Sequence, residues 1–192
     1  MSVVTTDRLE RYMKGLVAAA DLATRAARDG FFVEYVVLTA SLIDGVLRIG
    51  LVLQNQLRSR SSAIDEALLY QAATDPILSE RSVYRRALEE GVIKQEVFDR
   101  LQELYDQRNR VVHRYLITDL TTAEVVGIAR ALQEGFSLVS DAVAMLEQRQ
   151  LDEGVGMTCA LDGTLCAEEL REFAKEKHGS EWLARALSRG AT

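Results

Sequence analysis

Arg108-Asn109-Arg110-Val111-Val112-His113-Arg114-Tyr115 packs a guanidinium, an amide, an imidazole and a phenol into eight residues. It holds one of only two histidines in the chain. A guanidinium can grip a phosphate through paired charged hydrogen bonds, and an imidazole can accept and return a proton near neutral pH. Arg108 beside His113 is therefore the minimum equipment for cutting RNA without a metal, with Arg108 on the phosphate and His113 moving the proton.

The segment reads as the end of a helix that starts near Lys94. At about 100° per residue, Val97, Leu101, Leu104, Arg108, Val111 and Tyr115 fall on one seam with the alternating steps of packed helices. Arg108 is the one charged member. An unpaired arginine on such a seam is costly, so an acidic partner, a cleft or an interface is expected beside it. Tyr115, the last position on the seam, reads as a packed aromatic. Asn109 and His113 are four residues apart and share a neighbouring face. In a straight helix Arg108 and His113 diverge by about 140°, so a distortion at the helix end or a two-fold dimer is needed to aim both at one phosphate. The dimer is the simpler solution. The same residues also fit a structural reading, in which basic groups at a helix end complement its dipole.

Bulk properties limit what surrounds this segment. The chain has 192 residues, 48% hydrophobic and 27% charged, enough for one core with a small appendage. A net charge of −6 argues against coating nucleic acid through bulk charge, so contacts with RNA must be local. Arg108, Arg110 and Arg114 supply one local basic cluster; Arg81, Arg85 and Arg86 form a second that reads as a solvated face. Cys159 and Cys166 cannot complete a zinc site, even with His178 as a third ligand, and read as free thiols. No metal site and no cofactor are expected. The N-terminus lacks a signal-peptide pattern, and the apolar run from Phe31 to Leu53 is interrupted by Glu34, Asp44 and Arg48. That run reads as a buried core helix, and the chain as cytoplasmic with no membrane partner.

The elements that must position the motif are helical almost throughout, with a single proline and no alternating β pattern. One helix is expected from Asp7 to Asp29, with Leu9, Tyr12, Met13, Leu16, Ala19 and Ala20 on its apolar face and Gly30 as its stop. A central helix follows from about Phe31 to Leu57. Its polar stripe carries Asp44 and Arg48, which can pair with each other; alternatively Asp44 or Glu34 supports Arg108 across the core. A short helix from Ala63 to Ala73 and a second capped by Ser82 and closed by Gly91 precede the motif helix. Thr121-Thr122-Ala123-Glu124 matches a capping box and opens a last long helix to about Leu151. The fold class is all-α, a bundle of four longer helices with two short inserted ones over residues 1–153. Gly154, Gly156 and Gly163 then suggest a hinge, and residues 154–192 form a helical tail anchored by Leu170, Phe173, Trp182, Leu183 and Leu187, packing on the bundle or a partner subunit.

Arg108-Asn109-x3-His113 on the third long helix of an all-α chain resembles the HEPN superfamily, and Arg108-x4-His113-x-Tyr115 resembles the form found in HepT-like toxins. The resemblance implies a HEPN-like bundle acting as a homodimeric, metal-independent endoribonuclease, the toxin of a toxin–antitoxin or defence module. It implies that Arg108 stabilises the scissile phosphate, that His113 is the general acid and base, and that Asn109 orients the site. The RNA 2′-hydroxyl would be the nucleophile. Tyr115 would be a regulatory position, open to adenylylation by a nucleotidyltransferase antitoxin. The stretch from Arg81 to Ile93 and the motif helix also resemble the mannitol operon repressor-like family, whose members include non-nucleolytic regulators. The alternative is thus a HEPN-fold regulatory or scaffold protein that dimerises and binds a partner. A nuclease requires Arg108 and His113 of two subunits to line one cleft. A scaffold is expected to bury Arg108 in an ion pair and leave His113 in open solvent.

Overall fold

The computed structural model describes residues 7–69, 78–159 and 172. Among them the chain forms helices and no strand, in the order α1 (Asp7–Asp29), α2 (Phe32–Ser59), α3 (Glu66–Leu69), α4 (Glu80–Glu89), α5 (Gln95–Arg114) and α6 (Thr122–Glu153). The all-α class and the two short helices between the second and third long ones match the sequence reading.

α2 is the axis of the bundle and packs against each of the other five helices. Its apolar side chains cover most of its circumference: Val36, Ile43, Leu47, Leu51 and Val52 have no exposed surface at all. α2 is long and apolar enough to cross a membrane by length and composition, but 72% of that apolar window is buried inside the bundle. α1 lies along α2 through Leu9, Ala18, Ala23 and Ala26, with Tyr12 and Met13 half-buried beside them. Ala20, expected on that face, is exposed, because the buried stripe follows the small alanines that let α1 lie close.

Two close approaches set the position of α5 and α6. A Cβ on Gly135 of α6 would stand 2.5 Å from Leu104 Cδ1 of α5, and one on Gly50 would stand 2.7 Å from Val92 and 2.9 Å from Val143. Only glycine permits these distances.

Element ends follow local chemistry. Thr121 caps α6 by accepting from the Glu124 N–H, while Glu124 returns to the Thr121 N–H at 2.8 Å, the reciprocal pair the sequence predicts. α4 is capped by Ser79, not Ser82. Ser79 has extended backbone and accepts from the Ser82 N–H at 3.2 Å, and the helix therefore starts at Glu80. α3 spans four residues instead of the expected run from Ala63 to Ala73, whose second half lies outside the described residues. α6 ends at a left-handed Gly154. Beyond it, the Met157 N–H donates to Gln56 Oε1 and the Thr158 N–H to Gln150 Oε1, both at 3.0 Å, so residues 154–159 fold back onto the bundle. Cys166, His178 and the expected tail anchors lie outside the described residues.

Gly135→Ala should destabilise the protein by about 1–3 kcal/mol, the usual cost of overpacking a filled core. Urea unfolding measures this, and an unchanged midpoint would show that Leu104 moves aside freely.

Candidate functional site

α5 carries the motif on its last two turns. Leu101, Leu104 and Val111 are buried against the bundle, as the seam requires, and Val97 is half-buried. Tyr115 departs from that seam. It sits just past the helix end with 40% of its surface exposed. The chain turns there, with the Ile117 N–H donating to the Arg114 carbonyl at 3.1 Å, so Tyr115 stands at the rim of the bundle and not between helices. It borders a hollow of about 270 Å³ with Phe31, Glu34, Thr122 and Val125.

Arg108 remains on the seam and is 17% exposed. Its charge is met by Glu80, the first residue of α4, through an ion pair from Nη2. Nη1 donates to Asn109 Oδ1 at 2.9 Å. The guanidinium carbon lies over the Tyr105 ring, 5.0 Å from its centre, and that of Arg81 lies over the same ring at 4.5 Å while Arg81 pairs with Asp106 at 2.7 Å. Both guanidiniums thus sit where a cation gains from an aromatic quadrupole.

A second, deeper guanidinium fixes the parts around it. Arg48 of α2 donates from Nε to Asp44 at 2.7 Å, from Nη1 to the Leu68 carbonyl at 3.0 Å and from Nη2 to the Leu78 carbonyl at 3.0 Å. Leu68 lies in α3 and Leu78 just before α4, so one side chain holds a carbonyl at each of the two helices. Asp44 therefore serves Arg48 directly and Arg108 only through its field. The expectation that Asp44 or Glu34 orients Arg108 is corrected: Asp44 is already engaged one helical turn along α2, Glu34 is exposed at the rim, and Glu80 takes the place.

Burial pushes the Asp44 carboxyl above its usual range, against the pull of Arg48, and it raises Glu80 likewise against the pull of Arg108. The Tyr84 phenol, on α4 below Glu80, is driven up by burial and then by the Glu80 and Asp44 charges. Tyr12 is shifted in the same direction by burial and Asp44, and its hydroxyl donates to the Gly45 carbonyl at 2.7 Å. Two carboxylates and two guanidiniums from α2, α4 and α5 therefore share one largely buried cluster.

His113 is exposed, as are Arg110 and Arg114. Arg110 stands 3.9 Å from Glu124, both half in solvent, a contact worth little. Arg108 and Asn109 are thus brought together, His113 lies one turn beyond Asn109 on its face, and Arg108 does not contact His113 within the single chain. Around them the surface is apolar: Leu116 is 93% and Ile117 79% exposed, with Val112 also open to solvent. Among the described residues no three His, Cys, Asp or Glu side chains stand together as a metal site.

Sequence reasoning missed Glu80 and Tyr105. Tyr105 precedes Arg108 by three residues, a spacing that puts them side by side on a helix. Glu80 left no such signal, since its contact joins two helices. No protein-family model, no curated protein and no solved structure matches this chain.

Arg48→Met should cost about 3–5 kcal/mol, because it strands a buried carboxylate and two carbonyls together. Arg48→Lys should not restore the loss, since an ammonium lacks the fork that reaches all three acceptors. Chemical denaturation of both variants checks this; a loss under about 1 kcal/mol would mean that water replaces the guanidinium.

Proposed function

We propose that this chain is a HEPN-type, metal-independent endoribonuclease that works as a cytoplasmic homodimer, the toxin of a toxin–antitoxin or defence module. The observation that carries the reading is the bond from Arg108 Nη1 to Asn109 Oδ1 at 2.9 Å. It draws the guanidinium toward the helix face on which His113 stands exposed one turn later. In this reading a second copy bridges the separation of about 140° expected of a straight helix. Val112, Leu116 and Ile117 offer that copy exposed apolar side chains next to His113 in the chain.

In this reading Arg108 binds the scissile phosphate and offsets the charge that builds on it. His113 takes the proton from the 2′-hydroxyl as that oxygen attacks phosphorus, or gives one to the departing 5′-oxygen, the two steps divided between the two subunits. Asn109 holds the guanidinium in place. Arg110 and Arg114 extend the contact along the backbone of the RNA. Tyr115, exposed at the rim, suits modification by a nucleotidyltransferase partner that would block the cleft.

A second reading has its own observation. In the single chain Arg108 is paired with Glu80 and His113 faces solvent, the arrangement expected of a non-catalytic HEPN-fold regulator that dimerises and binds a partner.

Incubating the protein with mixed RNA in EDTA separates the two. The nuclease reading expects cleavage that Arg108→Ala and His113→Ala each reduce by about a hundredfold or more; absence of cleavage, or cleavage that survives both changes, favours the regulator. Leu116→Glu with Ile117→Glu should convert the dimer to a folded monomer, seen by light scattering and circular dichroism, and cleavage should vanish with it. A monomer that still cuts would remove the shared-cleft mechanism.

A further inference from the structure

A phosphate approaching Arg108 meets a guanidinium whose charge is already matched by a carboxylate. Nη2 donates to Glu80, Nη1 donates to Asn109, and the guanidinium carbon lies over the Tyr105 ring. A carboxylate and a phosphodiester present the same pair of charged acceptor oxygens to a guanidinium. We propose that Glu80 is an internal competitor for phosphate at Arg108, so that RNA binds by displacing the α4 carboxylate. The inference rests on the reading of Arg108 as a phosphate site, and adds a residue that sets the affinity of that site.

The geometry around Glu80 supports displacement over a fixed structural pair. Glu80 is the first residue of α4, where only Ser79 caps the helix and the side chain keeps 23% of its surface in solvent. It can turn outward without leaving a fully buried charge behind. Its place is nevertheless held, because Arg48 fixes the Leu78 carbonyl two residues earlier. Glu80 therefore returns to Arg108 when the ligand leaves. Arg108 itself remains gripped by Asn109 and Tyr105 throughout, so the exchange is of one acceptor for another.

The test uses the full chain and a short fluorescein-labelled 2′-O-methyl oligoribonucleotide, which offers phosphodiesters but no hydroxyl to attack with. Binding is followed by anisotropy. Glu80→Gln should bind about tenfold more tightly than the wild type, the scale of removing one charged competitor. The gain should disappear when Arg108→Ala is added, and Glu103→Gln, which removes an equal charge from the exposed Arg100 pair at 3.1 Å, should not reproduce it. Equal or weaker binding by Glu80→Gln overturns the inference, as does a gain that survives Arg108→Ala, a gain matched by Glu103→Gln, or binding by none of the proteins.

Should Glu80→Gln fail to fold, the wild type carries the test through carboxyl modification by carbodiimide. The 2′-O-methyl oligonucleotide should shift Arg108 from Glu80 protection to ligand protection, so that modification of the freed Glu80 carboxyl by carbodiimide rises severalfold on binding; an unchanged Glu80 rate overturns the inference. Cleavage of natural RNA by the same proteins scores the nuclease reading separately. Tightening without cleavage leaves Glu80 as a competitor and removes the nuclease, whereas cleavage without a Glu80 effect does the reverse.

Discussion

A buried guanidinium on α2 organises the side of the bundle that carries Arg108. Arg48 contributes three hydrogen bonds, one to its own helix and one to each flank of the α3–α4 connection. Burying it costs solvation that only a complete set of acceptors can offset. That condition dictates where Leu68 and Leu78 must lie, hence where α4 begins, and hence where Glu80 meets α5. The location of a carboxylate against Arg108 is thus decided by an arginine sixty positions away along the chain. Asp44 shares in this from beneath: one of its oxygens binds Arg48, and the other is buried with no hydrogen-bond partner among the described residues.

The cluster also explains how an arginine can occupy a seam position in α5. Leucine would fill that place at lower desolvation cost, and its neighbours Leu104 and Val111 do so. Arg108 is accommodated because three different kinds of contact meet it: a carboxylate, an amide oxygen and an aromatic face. None of the three requires full burial. The guanidinium lies at the boundary between core and solvent, where a charge still interacts strongly and can still be reached. A chain rich in acids overall can hold a locally basic edge in this way without an extended positive surface.

Much of the fold was legible because it rests on short-range rules. Helical periodicity located the four long helices, the Thr121–Glu124 capping box marked the start of α6, and Gly30, Gly91 and Gly154 marked ends. The requirement that Arg108 find an acid was legible too, as a statement about cost. Which acid was not. By sequence Asp44 could pair with Arg48 or support Arg108, and it pairs with Arg48, one turn away on the same helix. Glu80 meets Arg108 across twenty-eight positions, and its placement depends on the Ser79 cap and on carbonyls gripped from α2. Ser82 reads by sequence as the cap of α4, and Ser79, three residues earlier, takes that place. Tyr115 was assigned to the core by periodicity, which carries no information about where a bundle stops covering its helix.

The two fully buried amides at the other end of the bundle have a consequence for how the molecule can be joined to anything else. Gln150 donates to Gln56 and to the Leu53 carbonyl, and together they receive the N–H groups of Met157 and Thr158. The chain is therefore tethered at the C-terminal end of α2, whereas Tyr115 and the hollow beside Glu34 lie at its N-terminal end. From Glu34 to Gln56 the helix rises about 33 Å. Residues 154–159 are thus held at the pole remote from Tyr115 and the hollow beside it. A dye or a fused domain attached there would report on assembly by distance without standing in the way of it.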